Sequence, residues 1–527
     1  MEEKKVTFGN FQKSAFGVDA IDSQVESIKN DIKGLYKSDN LPWVIGYSGG
    51  KDSTACLQLI WTAIKELEPE SRKKPIYVIS TDTLVENPVV AMWVEVSLET
   101  MRLSALEQGV PIIPKRLTPE LSDRFWVNLI GRGYPAPRPM FRWCTSRLKI
   151  NPSNNFILDI VAKNGEAILV LGTRKAESSA RKRVMESYEG STRDLLSRNG
   201  NPKLDRVWIY PPIVSWTNDD VWEYLVTYPN PWGYDNKQLL NMYRGATQDN
   251  ECPLVVDTST PSCGDSRFGC FVCTLVDKDK SMRAMIQNDS DKEWMKPLAD
   301  FRDNYLNTDD FERRDFRRMD GRLTLMDDKD TGGKKLVHGP YLQSYREEML
   351  AALLAAQEEI KKKAGMEKFA LVTTEDLDEI RRLWVEEKNE IEDRVPVIYK
   401  EVTGNDYPNE QLNEGRLFNR SDIGLLRSIA AVDDHPDNLH YQLVRNLLNI
   451  ERNYSTATRR VGIYENLERA LINGGFENKK EAYEFAMKRE QTEDDGEEIV
   501  KTMMDPSFRS EISDMYIVET NQDGAES

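Results

Sequence analysis

One stretch constrains this chain more than any other: Trp43-Val44-Ile45-Gly46-Tyr47-Ser48-Gly49-Gly50-Lys51-Asp52-Ser53. An apolar run enters a glycine pair, and a breaker-poor segment from Ser53 to Ile64 follows. That order predicts a strand, a tight turn and a helix. Glycines let the backbone turn sharply and bring its N–H groups close to a ligand. The N-terminus of the following helix favours an anion. Ser48, Lys51 and Ser53 add hydroxyl and ammonium donors at the same place. Lys51 directly follows the second glycine, so the spacing is not the Walker form G-x-x-x-x-G-K-[ST]. An ordinary glycine-rich strand–helix turn would share the glycines but not this set of donors.

The 527 residues suggest two to four domains. Hydrophobic residues at 39% and charged residues at 30% fit a soluble globular protein. No run of about 18 uncharged apolar residues is present, so no membrane association is expected. Met1-Glu2-Glu3-Lys4-Lys5 lacks an apolar signal region, and a cytoplasmic location is the expectation. Six cysteines in such a setting are free, catalytic or metal-bound rather than disulfide-paired. A net charge of −17 argues against gripping nucleic acid by bulk electrostatics. The balance is uneven: Lys115 to Lys149 holds eight Lys or Arg against Glu120 and Asp123, while Gln491 to Ser527 holds eleven acidic residues. A local basic face and a plain solvated surface are both open.

Residues 1–25 read as a polar arm. From 26 to 290 strands and helices alternate. Strands are expected at Pro42–Tyr47, Ile76–Thr81, Val110–Pro114, Ala167–Leu171 and Arg206–Ile209. An amphipathic helix ending near Glu68 and a helix over Val89–Gln108 lie between the first three. This pattern predicts an α/β fold with a mostly parallel, doubly wound sheet. Ligands in such sheets sit beyond the carboxyl ends of the strands, where the Ser48–Ser53 loop falls. After 290 the chain turns mainly helical: a helical region over 291–395, with helices at Tyr341–Lys363 and Thr374–Glu392, a linker over 396–418, and a second helical region over 419–491. Its helices are expected at Asn438–Tyr454, Tyr464–Asn473 and Lys479–Gln491, before an acidic mobile tail over 492–527.

Further segments carry chemistry. Ser80-Thr81-Asp82-Thr83 ends the second strand, and Gly172-Thr173-Arg174-Lys175 follows the fourth, with Arg181 beyond. Asp82 could be a helix cap, and Trp222 reads as packing. Cys270-Phe271-Val272-Cys273 is a C-x-x-C, with Cys252 and Cys263 shortly before it and Cys144 upstream. Thiolates at this spacing suit an iron–sulfur cluster or four-thiolate zinc. Cys56, within the helix after the loop, reads as a buried apolar residue. The three histidines, His338, His435 and His440, lie outside the α/β half, so a histidine base is not expected.

The S-G-G-x-D-S form resembles the PP-loop of ATP pyrophosphatases, and residues 26–290 resemble the PAPS-reductase family of these enzymes. Within it the chain is similar to the DndC family, the sulfurtransferases of Dnd DNA phosphorothioation systems. That likeness rests on Trp43–Thr54, Val78–Pro88, Phe125–Ala136, Phe141–Lys149 and Glu251–Thr274. It implies an adenine-nucleotide α-hydrolase-like domain that uses ATP and Mg²⁺. The nucleotide would be held by Ser48, Gly49, Gly50, Lys51, Asp52 and Ser53, with Asp82, Gly172 and Arg181 nearby. Asp52 would sit by the metal, and Arg174, Lys175 and Arg181 would steady phosphate charge. It implies activation of a DNA phosphate with pyrophosphate release, then sulfur transfer.

The resemblance also implies a 4Fe-4S cluster. Related cluster-bearing reductases use a Cys-Cys pair and a later C-x-x-C, but Trp143 stands where the first cysteine of the pair would be. Cys252 or Cys263 can supply the missing ligand. Cys144, Cys252, Cys270 and Cys273 are the favoured set, which leaves Cys263 as a candidate sulfur-relay thiol. Implied partners are DNA, held weakly by this chain alone, a cysteine desulfurase as sulfur donor, and the sister proteins DndD and DndE. A sulfonucleotide reductase is the alternative chemistry, weakened because no cysteine follows Cys273. A non-catalytic assembly subunit using nucleotide as a switch is the alternative class.

Overall fold

The computed structural model describes residues 21–139, 141–177, 183, 192–193, 195–245, 269–329, 331–409, 420–430, 438–455 and 459–504. Arg181, Cys252 and Cys263 lie outside the described residues. So does most of the polar arm.

Two units divide the chain. The first comprises 1–129, 136–308 and 349–379; the second comprises 130–135, 309–348 and 380–527.

The first unit is built on a seven-stranded sheet in the order β3-β2-β1-β4-β7-β6-β5. Its strands are β1 Trp43–Gly46, β2 Ile76–Thr81, β3 Ile112–Leu117, β4 Ala167–Val170, β5 Thr192–Arg193, β6 Leu196–Arg198 and β7 Val207–Tyr210. The pairs β1–β2, β1–β4, β2–β3 and β4–β7 are parallel; β6 pairs antiparallel with both β5 and β7. The mostly parallel α/β sheet expected from the sequence is present, with a short antiparallel edge added. Trp43 pairs with Ile76 on one side and Ile168 on the other, so β1 is central. Its Trp43, Val44 and Ile45 are fully buried, as a strand covered on both faces requires.

The helices carry the crossovers. α1 (Ile21–Ser38) buries Val25, Ile32, Leu35 and Tyr36, a helical stripe. α2 (Lys51–Lys65) joins β1 to β2 and is buried almost all round. α3 (Pro88–Gln108) joins β2 to β3. Asn87 caps it by accepting the Val89 N–H at 3.0 Å, Pro88 opens it, and Gly109 at φ +61° ends it. Asx capping, an N1 proline and a left-handed glycine are the expected punctuation. α4 (Asn151–Asn164) precedes β4. Val44, Ile79, Ile157, Ile160 and Val207 pack together beneath the sheet. After β3 the chain crosses back to lay β4 against β1. The sheet therefore reverses its direction of growth between β1 and β4, and the loops leaving these two strands open onto that crevice.

Among its described residues the second unit is mainly helical, with an antiparallel hairpin, β8 Leu325–Asp327 and β9 Lys334–Leu336. Its helices include Arg394–Thr403, Arg420–Ala430, Leu439–Ser455, Ile463–Gly474 and Lys479–Met504. The first of these occupies part of the stretch read as linker, and the last runs past Gln491. Phe316, Leu323, Leu336, Leu439 and Phe476 form its apolar cluster. Buried Arg346–Glu390 and Arg381–Asp393 pairs tie its segments together. No helix among the described residues is long and apolar enough to cross a membrane.

Candidate functional site

The glycine turn is shaped by what surrounds it. Gly49 has φ +73°, and a Cβ there would meet Val94 at 2.5 Å. Gly50 is extended and caps α2 without a side-chain bond. The Ser53 hydroxyl donates to the Gly50 carbonyl at 3.0 Å and accepts the Ser48 N–H at 3.2 Å, while the Ser48 and Ser53 hydroxyls lie 3.2 Å apart. Ser48 and Ser53 thus brace the loop as well as lining it. The Lys51 N–H donates to the Tyr243 hydroxyl at 3.3 Å. Burial raises the pKa of Tyr243 to about 12, so it stays a neutral hydroxyl at the helix start.

Charge gathers at the same point. Arg174, 4% exposed, places Nε 2.8 Å from Asp52 Oδ1 and donates from Nη1 to the Trp216 carbonyl at 3.3 Å. Lys51 Nζ lies 3.4 Å from Asp52 Oδ2. One carboxylate therefore orients a lysine from the start of α2 and an arginine from the loop after β4. Gly172 makes this possible: a Cβ there would lie 2.6 Å from the Asp52 carbonyl oxygen and 3.1 Å from the Ser53 nitrogen. The fold brings together Ser48 to Ser53, Gly172 and Arg174 from the residues read in sequence. Asp82 is placed differently. It accepts the Leu84 N–H at 2.8 Å and is ion-paired with Arg116, and it does not cap α3.

The thiols divide into two groups. Cys56 is fully buried, and burial raises its pKa. Cys144, Cys270 and Cys273 are partly buried free thiols. Lys149 feels all three: burial opposes its charge, but Cys270, Glu86, Cys144 and Cys273 raise its pKa. Burial pushes Cys270 up to about 11 despite Lys149 beside it and the Thr83 hydroxyl at 3.4 Å. Burial likewise raises Cys144. The C-x-x-C turn closes on itself, Cys273 N–H to Cys270 carbonyl at 3.0 Å. It is held to the segment after β2 by the Phe271 N–H to Val85 carbonyl bond at 3.1 Å. Arg302, 1% exposed, grips the far side through the Cys273 carbonyl at 2.7 Å. No group of three or more His, Cys, Asp or Glu among the described residues is close enough to hold a single metal ion. A cluster spaces its ligand sulfurs more widely than one ion does. Three soft thiols around one lysine fit that donor chemistry; Cys252 and Cys263, the two residues read as able to complete the set, lie outside the described residues.

Sequence reasoning missed Tyr243, Thr83, Lys149 as a partner of the thiols, and Arg302. Thr83 and Lys149 lie in segments singled out on other grounds, Ser80–Thr83 and Phe141–Lys149, while Tyr243 and Arg302 lie in none; each reaches its place through tertiary packing. The basic run is also mostly neutralised. Arg116 pairs with Asp82, Arg124 with Glu375 and Asp376, Arg132 with Glu387, Arg147 with Asp123, and Lys149 with Glu86.

Residues 42–231 match the model of the phosphoadenosine phosphosulfate reductase domain. This segment is a PAPS reductase-like, PP-loop nucleotide-binding domain. An uncharacterized protein of Methanocaldococcus jannaschii is 25% identical over 276 residues, covering 52% of this chain and 45% of that protein. The match thus spans under half of that relative's length. Among solved structures, the FMN adenylyltransferase of Candida glabrata with FAD and inorganic pyrophosphate is 14% identical, with 45% of this chain and 66% of that chain covered and a TM-score of 0.25. The U34-tRNA thiolase of Methanococcus maripaludis with its 4Fe-4S cluster is 12% identical, with 56% and 83% covered and a TM-score of 0.28.

Proposed function

We propose that the chain is an ATP pyrophosphatase and sulfurtransferase of the DndC type, which activates a DNA backbone phosphate and replaces one of its oxygens with sulfur. The observation that carries this reading is the meeting of Lys51, Asp52 and Arg174 at the sheet's switch point, above a glycine turn built for phosphate. The PAPS reductase-like match over the same residues supports it.

In this reading the N–H groups of the first turn of α2 and the Ser48 and Ser53 hydroxyls cradle pyrophosphate. Lys51 neutralises its charge. Arg174, locked by Asp52 and the Trp216 carbonyl, faces the transferred phosphoryl group as a preorganised cation. Both Asp52 oxygens already meet cations, so Mg²⁺ would be carried chiefly by the ATP phosphates, with Asp52 the nearest carboxylate. A non-bridging DNA oxygen attacks the α-phosphorus and pyrophosphate leaves. A persulfide sulfur from a cysteine desulfurase then attacks the activated DNA phosphorus and AMP leaves. A second thiol cleaves the S–S bond, releasing phosphorothioate and oxidising the donor to a disulfide. Cys144, Cys252, Cys270 and Cys273 would hold a 4Fe-4S cluster, which supplies a sulfur-binding soft metal when bound. DndD and DndE would present the DNA.

The test is ATP-dependent pyrophosphate release by the full chain, with and without DNA and partners. Lys51→Ala and Asp52→Ala should abolish release while circular dichroism stays unchanged. Unaltered release in both variants would overturn the assignment. Release stimulated by a sulfonucleotide and not by DNA would overturn the substrate.

A further inference from the structure

The second unit contains a cavity of about 450 Å³ between the Asp315–Gly321 loop, the start of the Gln343–Ala364 helix, residues 387–390 and the helices Leu439–Ser455 and Ile463–Gly474. Its charges do not cancel. Four carboxylates line it, and each has its own guanidinium: Asp315 with Arg317, Glu390 with Arg346, Asp320 with Arg322, and Glu387 with Arg382 and Arg132. Three lining cations, Arg318, Lys388 and Arg469, make no ion pair or side-chain hydrogen bond with any described residue. Arg445, also in the lining, spends Nη1 on Glu392 and leaves Nε buried with no acceptor. The remaining wall is rich in amides, among them Asn446, Asn449, Asn466 and Asn473. Amide N–H₂ groups donate, and guanidinium and ammonium groups only donate.

We infer that this cavity is a second phosphate-binding site, separate from the glycine turn, taking a phosphoryl oxyanion through Lys388, Arg318, Arg469 and Arg445. Donors left without acceptors at the buried Arg445 Nε and at Lys388 cost free energy until an acceptor arrives, the exposed Arg318 and Arg469 add positive charge at the surface, and a phosphate oxyanion offers several strong acceptor oxygens. The volume suits a nucleotide-sized group. The source of the phosphate is either a small phosphorylated molecule or the phosphodiester of a nucleic-acid strand. The site does not depend on the sulfur-transfer reading.

Lys388 reports on its own occupancy. Burial first, and then the Arg346 guanidinium, lower its pKa to about 8, against the opposing pull of Glu390, Asp315 and Glu387. About half of it is therefore the free amine at pH 8, the form that reductive methylation takes. A bound oxyanion restores the ammonium and slows labelling.

The experiment is pulse methylation of the full chain at pH 8 with mass spectrometry of the Lys388 peptide, titrated with inorganic phosphate and, separately, with a short oligothymidylate lacking terminal phosphates. Raising the Lys388 pKa by about one unit cuts its free-amine fraction roughly fivefold, which is the protection expected. Protection by phosphate alone identifies a small phosphorylated ligand; protection by the oligomer at lower concentration identifies a strand. The double variant Arg318→Gln, Arg469→Gln changes two exposed side chains, so the fold survives, and about tenfold more probe should be needed. Unprotected Lys388 with both probes, or equal protection in the double variant, overturns the inference.

Discussion

Gly172→Ala tests the site's construction more sharply than removal of any charged group. The added methyl would sit 2.6 Å from the Asp52 carbonyl oxygen, 2.9 Å from its carbon and 3.1 Å from the Ser53 nitrogen. All three are backbone atoms in the first turn of a buried helix, so no side chain can swing aside. Restoring an ordinary contact of about 3.5 Å requires the loop after β4 to retreat by about 0.9 Å. Arg174 rides on that loop two residues later and would lose its 2.8 Å grip on Asp52. Overpacking of this kind costs about 1–3 kcal/mol of stability. A misplacement of about 1 Å in a positioned catalytic group lowers rates by about 10²-fold. Pyrophosphate release and thermal melts, measured together, give both numbers. Gly34→Ala is the control. It lies within α1, a Cβ there meets nothing within 4 Å, and the exchange should stabilise by about 0.5–1 kcal/mol without touching turnover. A Gly172→Ala protein with wild-type melting and turnover would refute the close packing of the two loops.

Other outcomes follow from the same reasoning. Ser at Cys144, Cys252, Cys270 or Cys273 should remove iron, while Cys263→Ser should keep it and lose phosphorothioate; iron and phosphorothioate assays on the one variant set decide, and loss of iron from Cys263→Ser with iron kept in Cys252→Ser would exchange the roles of those two residues. His338 is 3% exposed and donates from Nδ1 to the Phe311 carbonyl at 2.7 Å. Burial, with Lys479 and Arg314, lowers its pKa, so its contribution to stability is full above about pH 6.5 and is lost as pH falls through the folded value. Melts from pH 8 to 5 should show this slope, and His338→Gln should flatten it; an unchanged slope refutes the assignment. The net charge of −17, with most of the 115–149 cations ion-paired, predicts no sub-micromolar DNA binding by the isolated chain at physiological salt. A salt titration by anisotropy checks it.

The sheet was legible because its strands are apolar runs bounded by turn residues, and a parallel strand buried on both faces must look like that. Thus Ile76–Thr81 agrees end to end, whereas Val110–Pro114 is displaced to Ile112–Leu117, because Lys115 and Arg116 extend the edge strand beyond its apolar start. The short β5 and β6 have no apolar run to read. Within the site, Ser48 to Ser53 were readable since local spacing alone builds an anion cradle. Arg174 was visible only as a cation after a strand; its partner Asp52 lies 122 positions away. A cap was open for Asp82 because an Asx residue before a helix looks like one. Asn87 takes that role one residue before Pro88, and Asp82 is left to Arg116.

The run from Ser80 to Asn87 links the sheet to the C-x-x-C turn within the first unit. β2 pairs directly with β1, so its carboxyl end lies beside the strand that delivers the glycine turn. Thr83 reaches Cys270, Glu86 bridges to Cys270 through the backbone, and the Asn87 N–H takes the Gly269 carbonyl at 3.2 Å. The C-x-x-C is thus fastened to the sheet edge rather than hung on a free loop. Lys149 places a cation among the same thiols, and a cation beside a thiol favours the thiolate, the form that binds metal or attacks sulfur. Burial at Cys270 opposes ionisation, so an occupant that takes the thiolate, such as a soft metal, resolves the conflict where Lys149 alone does not. Iron content should therefore depend on Lys149: Lys149→Met, which keeps the stem and removes the charge, should bind iron more weakly at neutral pH and recover as pH rises. Equal iron occupancy across that range in both proteins would leave Lys149 a surface partner of Glu86 and nothing more.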